Sequence, residues 1–159
     1  MDVPLNTKQI VIATDGSAGA STAVEQGVWL AKMLGATVTF VAVARAPLPV
    51  LGDPYYQRAL THDLAKARTA IADAILVAEE RHVSYETEIV EGSPVHKILE
   101  VASAHGADMI VVGSRGRGAV AGALLGSVSS ELVHRADRPV LVARPSVAAR
   151  QRERLGVAV

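Results

Sequence analysis

A doubly wound α/β domain on a five-stranded parallel sheet is the fold this sequence predicts, and three observations carry the prediction. Five short apolar runs alternate with four stretches of helical periodicity, an alternation that calls for crossover connections rather than hairpins. Turn-forming glycine segments follow the first and fourth runs. The length, 159 residues, suits one such domain. If the first strand feeds the second and third on one side and the chain then crosses to the fourth and fifth on the other, the strand order is 3-2-1-4-5. The switch point then lies between strands one and four, and ligands of such sheets bind there, beyond the carboxyl ends of the strands.

Each element has its own signal. Lys8 to Thr14 is an apolar run that stops at Asp15-Gly16-Ser17, so the first strand is expected to end at Asp15. Val24, Val28, Ala31 and Leu34 recur at helical spacing between Ser17 and Leu34, and Gly35 is placed to end that helix in a left-handed conformation. Thr37 to Ala44 reads as a strand buried on both faces. Arg45 to Pro54, with three prolines and a glycine, is a loop. Leu60, Leu64, Ala67, Ile71, Ala74 and Ala78 then mark an amphipathic helix ending near His82. The alternation of Tyr85 to Val90 predicts a third strand nearer the sheet edge. Ser93 and Pro94 open the next helix, which carries Val95, Ile98, Leu99 and Ala102 and stops before Gly106. Asp108 to Val112 is the fourth strand, Ser127 to Arg135 the fourth helix and Pro139 to Ala143 the fifth strand. One domain over residues 1–145 is expected, followed by a tail over 146–159.

Composition narrows the function. Half of the residues are hydrophobic and 20% are charged, so the chain is expected to fold, while aromatics at 3% leave no platform for base stacking. The absence of cysteine removes disulfides, thiolate nucleophiles and cysteine zinc sites. The start, MDVPLNTKQI, lacks a basic stretch leading into an apolar one, and the uncharged stretches fall short of a bilayer span. A soluble cytoplasmic protein without a membrane partner is expected. Net charge is zero, which argues against nucleic acid as a partner, but it is unevenly spread: residues 1–112 carry net −5 and residues 113–159 carry net +5. The positive part begins at the glycine-rich segment.

That segment reads Gly113-Ser-Arg-Gly116-Arg-Gly118-Ala-Val-Ala-Gly122-Ala-Leu-Leu-Gly126-Ser127. Glycines let a backbone approach a ligand and turn successive N–H groups into one concavity, which suits phosphate oxygens. A helix follows at once, so its unpaired N–H groups and positive dipole end would face the same ligand. Ser127 is expected to cap that helix and offer its hydroxyl to phosphate. A mobile connection is the competing reading of the same glycines.

The spacing Gly113-x2-Gly116-x9-Gly126-Ser127 resembles the G-2x-G-9x-G-[S/T] pattern of the ATP-binding universal stress proteins. VVGSRG before it, LLGSVSSELVHRADRPVLVAR after it and the opening IVIATDGSAGAS resemble the same family, over about residues 7–144. The resemblance implies a five-stranded doubly wound fold, a homodimer through the last strand, and an adenine nucleotide, ATP or a relative such as cyclic AMP, with Mg or Mn on its phosphates. Carried over by position, it places Asp15 near the ribose or the metal-bearing phosphates, with Ala13 and Thr14 beside it. Asp15 is also suited to cap the first helix. Val43 matches the position whose backbone meets adenine. Val112, Gly113, Gly116, Gly126, Ser127, Val128 and Ser129 match the rest of the shell, and Arg115 and Arg117 are candidates for phosphate contact or for solvent.

Other constellations are missing. The sequence has no G-x4-G-K-[S/T] loop and no GxGxxG turn after the first strand. Asp15 has no acidic neighbour of the kind a phosphoacceptor receiver carries, and no strand–Ser–helix elbow is present. His62, His82, His96, His105 and His134 show no paired metal spacing and read as ordinary helix or surface histidines. Three functions stay open: a stress-response regulator or nucleotide reservoir, a slow metal-dependent ATPase or phosphotransfer enzyme, and a nucleotide-free dimeric interaction module. With no general base evident, turnover is expected to be slow at most, and no catalytic residue is assigned.

Overall fold

The computed structural model describes residues 7–45, 47, 50, 52–116 and 125–145. Along them run β1 (Gln9–Ala13), α1 (Ala18–Leu34), β2 (Thr37–Ala44), α2 (Tyr55–Glu80), β3 (Tyr85–Glu91), α3 (Pro94–Ala104), β4 (Met109–Gly113), α4 (Ser127–Arg135) and β5 (Val140–Ala143). All strand pairs are parallel and the sheet order is β3-β2-β1-β4-β5, as the alternation predicts. The expected tail and Arg117 lie outside the described residues. Among the described residues no helix is long and apolar enough to cross a membrane.

Strand periodicity divides the core in two. Ile10 and Ile12 of β1 pack with Val24, Val28, Phe40, Ile71 and Ala74 under α1 and α2, while Val11 and Ala13, pointing the other way, pack with Val41, Ile98, Ile110 and Leu132 under α3 and α4. A strand covered on both faces has no polar side, which is why β1, β2 and β4 read as continuous apolar runs. β3, at one edge, alternates instead, with Glu86 exposed and Glu88 half-buried. Those two carboxylates hold His105, at the end of α3, by Oε2 of Glu86 at 2.9 Å from Nδ1 and Oε1 of Glu88 at 3.0 Å from Nε2. Close packing also needs Gly27 of α1, where a Cβ would fall 2.5 Å from Cδ1 of Ile12.

Several ends differ from the sequence expectation. β1 stops at Ala13, two residues before Asp15, and the cap of α1 is Ser17, whose Oγ accepts from the N–H of Ala20 at 3.2 Å. Asp15 acts one step earlier, its Oδ1 accepting from the N–H of Ser17 at 2.9 Å; a carboxylate closing an Asx turn leaves the cap to the next oxygen-bearing residue. Gly126, not Ser127, caps α4: Gly126 has extended backbone, its carbonyl accepts the N–H of Ser130 at 3.0 Å, and Ser127 is already helical. Gly35 does end α1 in the left-handed region, at φ 64°. β4 begins at Met109, one residue later than expected, and Asp108 just before it binds the start of β1: its carboxylate accepts the N–H groups of Lys8 at 2.8 Å and Gln9 at 3.0 Å. Arg138, before β5, donates from Nη1 to the carbonyls of Ala102 and Ala107, both at 2.8 Å, and so closes the C-terminal end of α3.

Candidate functional site

The carboxyl ends of β1 and β4 part at the switch point, and a cleft of about 590 Å³ opens there. From β1 and its turn come Ala13, Thr14 and Asp15; β2 supplies Val43. Val112, Gly113, Arg115 and Gly116 come from β4 and the loop after it, and Gly126, Ser127, Val128 and Ser129 from the start of α4. All twelve described positions singled out in the sequence therefore share one wall system.

Hydrogen bonds tie the segments at this end together. The N–H of Thr14 bonds the carbonyl of Val41 at 2.9 Å, and the Thr14 hydroxyl accepts the N–H of Gly16 at 3.3 Å. The N–H of Ser114 bonds the carbonyl of Ala143 at 2.8 Å, so β5 anchors the start of the loop. The loop's far end returns to the same place, with the N–H of Gly126 donating to the carbonyl of Ser114 at 2.6 Å. Ser129, 1% exposed, donates its hydroxyl to the carbonyls of Ser114 and Gly126, each at 3.1 Å. Its side chain therefore ties the loop to α4, while Ser127 is exposed at the cleft.

Two glycine contacts fix how near the loop stands to β1 and α1. A Cβ on Gly113 would fall 2.5 Å from the carbonyl oxygen of Gly19, and one on Gly19 would collide with the carbonyl oxygen of Arg115. The first turn of α1 and the loop after β4 are thus in backbone contact. At Gly116 a Cβ would meet Oδ2 of Asp15 at 2.9 Å, so the acidic turn and the glycine loop meet at that point.

The walls differ in chemistry. Val41, Val43, Ile98, Val112 and Val128 belong to the core cluster under α3 and α4 and give the cleft an apolar side. On the polar side, the first N–H groups of α4 have no intrahelical acceptor, and the positive dipole end accompanies them. Asp15 contributes one carboxylate, and among the described residues no three His, Asp or Glu side chains gather as a metal site. That donor set fits a divalent cation only when phosphates bring it and supply most of its oxygens.

Three charged residues on the wall escaped the sequence reading: Arg45 after β2, and Asp63 and Lys66 on α2. No motif spacing marks them. Asp63 and Lys66 are half-buried at the border of the apolar stripe of α2, four residues before Ala67 and Ala70 respectively, and only the crossover brings that side of the helix to the cleft, while Arg45 lies in the loop after β2. Gly19 was missed because only the packing brings the first turn of α1 against the loop after β4.

Comparison with known proteins gives a family match over nearly the whole domain. The model of the universal stress protein family matches residues 6–144. A universal stress protein of Thermus aquaticus is 37% identical over 139 residues, covering 86% of this chain and 98% of that protein. Mycobacterial relatives are 35% identical over 148 residues, and the chain spans about half of their length. Among solved structures, universal stress protein UspA from Lactobacillus plantarum superposes with a TM-score of 0.78 at 29% identity, over 87% of this chain and 98% of that one. A universal stress protein in complex with cAMP superposes with a TM-score of 0.70 at 25% identity, over 89% and 99%.

Proposed function

The chain belongs to the universal stress protein family, and on that premise we propose that it binds an adenine nucleotide, ATP foremost, and serves stress adaptation as a nucleotide-responsive regulator or reservoir. The observation that carries this reading is the meeting of Asp15, the glycine loop and the start of α4 around one cleft at the switch point. The cAMP complex of the solved relative supports the adenine class.

In this reading the base lies against the apolar side, where Val43, Ile98 and Val128 exclude water and the backbone at Val43 supplies the polar contact. The phosphates lie toward Gly113 and Gly116 and the N–H groups opening α4, where oriented dipoles replace their water without reorganising. The Ser127 hydroxyl adds a donor. Asp15 holds the ribose or the metal-bearing phosphates, and Mg²⁺ or Mn²⁺, when bound, neutralises phosphate charge. Arg45, Lys66 and Arg115 set three cations against the carboxylates of Asp15 and Asp63 on the same walls, a balance that favours an anionic ligand. Phosphoryl transfer also requires an oriented nucleophile. Asp15 engages the N–H of Ser17 and stands against Gly116, a setting for holding a ligand rather than for activating water.

Mass spectrometry of the small molecules released on denaturing the purified protein tests the reading, joined to calorimetric titration of ATP, AMP and cyclic AMP. An adenine nucleotide is expected in the released fraction or as a saturable ligand. No binding of any of the three would overturn the proposal, and phosphate release from ATP and Mg²⁺ near the ~10 s⁻¹ typical of enzymes would replace the binding protein with an ATPase.

A further inference from the structure

A second hollow, of about 290 Å³, adjoins the main cleft between the turn after β1 and α2. Its walls include Gly16, His62, Lys66, Thr69 and Asp73, and Lys66 lines the main cleft as well. The four α2 residues follow one another at spacings of four, three and four, so they form a single stripe on that helix. Gly16 comes directly after Asp15, and Asp15 is the residue that meets Gly116. The hollow therefore opens at the end of the cleft where the acidic turn and the glycine loop converge, and Lys66 stands on the ridge between the two spaces.

The ridge position suits a cation that changes partner. Lys66 Nζ stands 3.8 Å from Oδ1 of Asp63, and its side chain is 42% exposed. That separation exceeds a hydrogen bond, and an exposed pair of this kind contributes little, so an anion entering from the cleft competes with Asp63 at small cost. Thr69 already donates its hydroxyl to the carbonyl of Ala65 at 3.2 Å, which leaves Lys66 and His62 as the cationic or donor groups facing the hollow. Asp73, farther along the stripe, repels an anion and confines it to the Lys66 end.

We propose that Lys66 reads the length of the ligand's phosphate chain: the main cleft takes the nucleoside and proximal phosphates, and the hollow beside Gly16 takes the terminal phosphate of a nucleoside triphosphate, with Lys66 as its cation and His62 at its rim. This rests on the adenine-nucleotide reading above. It makes α2, which contributes nothing to the glycine motif, the element that separates triphosphate from monophosphate. The ammonium contact is made only when the chain is long enough to reach the ridge.

The test is titration of ATP, ADP and AMP into the full chain, wild type and Lys66→Met. Methionine keeps the unbranched stem and a high helix propensity, so α2 is retained, and an unchanged thermal midpoint verifies it. Losing one charge-assisted contact is expected to weaken ATP about tenfold or more and AMP less than threefold, with Lys66→Arg recovering most of the ATP affinity. Equal weakening of ATP and AMP, or an ATP affinity untouched by Lys66→Met, overturns the subsite while the nucleotide-binding reading stands. Failure of wild type to bind ATP, ADP and AMP alike overturns the subsite, and failure to bind cyclic AMP as well overturns both.

Discussion

The glycines of the loop carry the same spacing signal but do different work. At Gly113 the missing Cβ makes room for the backbone of α1, with the Gly19 carbonyl oxygen 2.5 Å from where it would sit, and backbone cannot step aside. At Gly116 the neighbour is a side-chain oxygen, Oδ2 of Asp15, and the residue is exposed. Gly113→Ala is therefore expected to lower stability by about 1–3 kcal/mol through overpacking, read in urea unfolding. Gly116→Val should remain folded and lose most of its ATP affinity, because the new side chain displaces the Asp15 carboxylate and fills the space beside it. A folded Gly116→Val protein that titrates ATP like wild type would contradict this, as would a Gly113→Ala protein as stable as wild type.

Among the elements, β1 and β4 are joined at their starts by one carboxylate as well as by ladder hydrogen bonds. Asp108 accepts the N–H groups of Lys8 and Gln9, and those two donors, Lys8 first, hold its carboxyl below the usual carboxylate range. A group whose pKa is lowered by folding stabilises the native state above its unfolded pKa of about 3.9 and loses that contribution as pH falls through the lower folded value. Unfolding midpoints in urea, followed from pH 7 to pH 3, should therefore decline on the acid side more steeply for wild type than for Asp108→Asn. Parallel profiles would show that the carboxylate adds nothing to the joint between the two strands that bound the cleft.

Across the whole molecule, the two edges of the sheet are unlike. β3 puts Glu86 and Glu91 on an exposed edge and carries half-buried Glu88 between them, the kind of charge that keeps strands from pairing with strangers. β5 is Val-Leu-Val-Ala, half-buried over its first three residues, and pairs with β4 on one side. We infer a homodimer through β5, since among the described strands this short apolar edge pairs with β4 alone, and such an edge suits a symmetric partner. Light scattering at tens of micromolar should report twice the chain mass, and a monomer at that concentration would remove the inference.

By itself the sequence determined the number, type and order of the elements, because strand and helix periodicity are local and the long apolar runs leave no face for solvent. It also placed the switch point, through the turn at Asp15 and the glycines at Gly113 and Gly116, since glycine spacing reports where a backbone must approach something. The element ends were less legible. Asp15 and Ser17, or Gly126 and Ser127, can each cap a helix, and the choice between them follows from which oxygen the surrounding turn has already engaged. What only the tertiary structure decided are the relations between distant segments: Gly19 against the β4 loop, the Ser129 hydroxyl turned into that loop, and Arg45, Asp63 and Lys66 brought to the cleft by the crossover. Gly19, Arg45, Asp63 and Lys66 carry no motif along the chain, because what selects them is which parts of α1, α2 and the loop after β2 the packing brings beside the cleft.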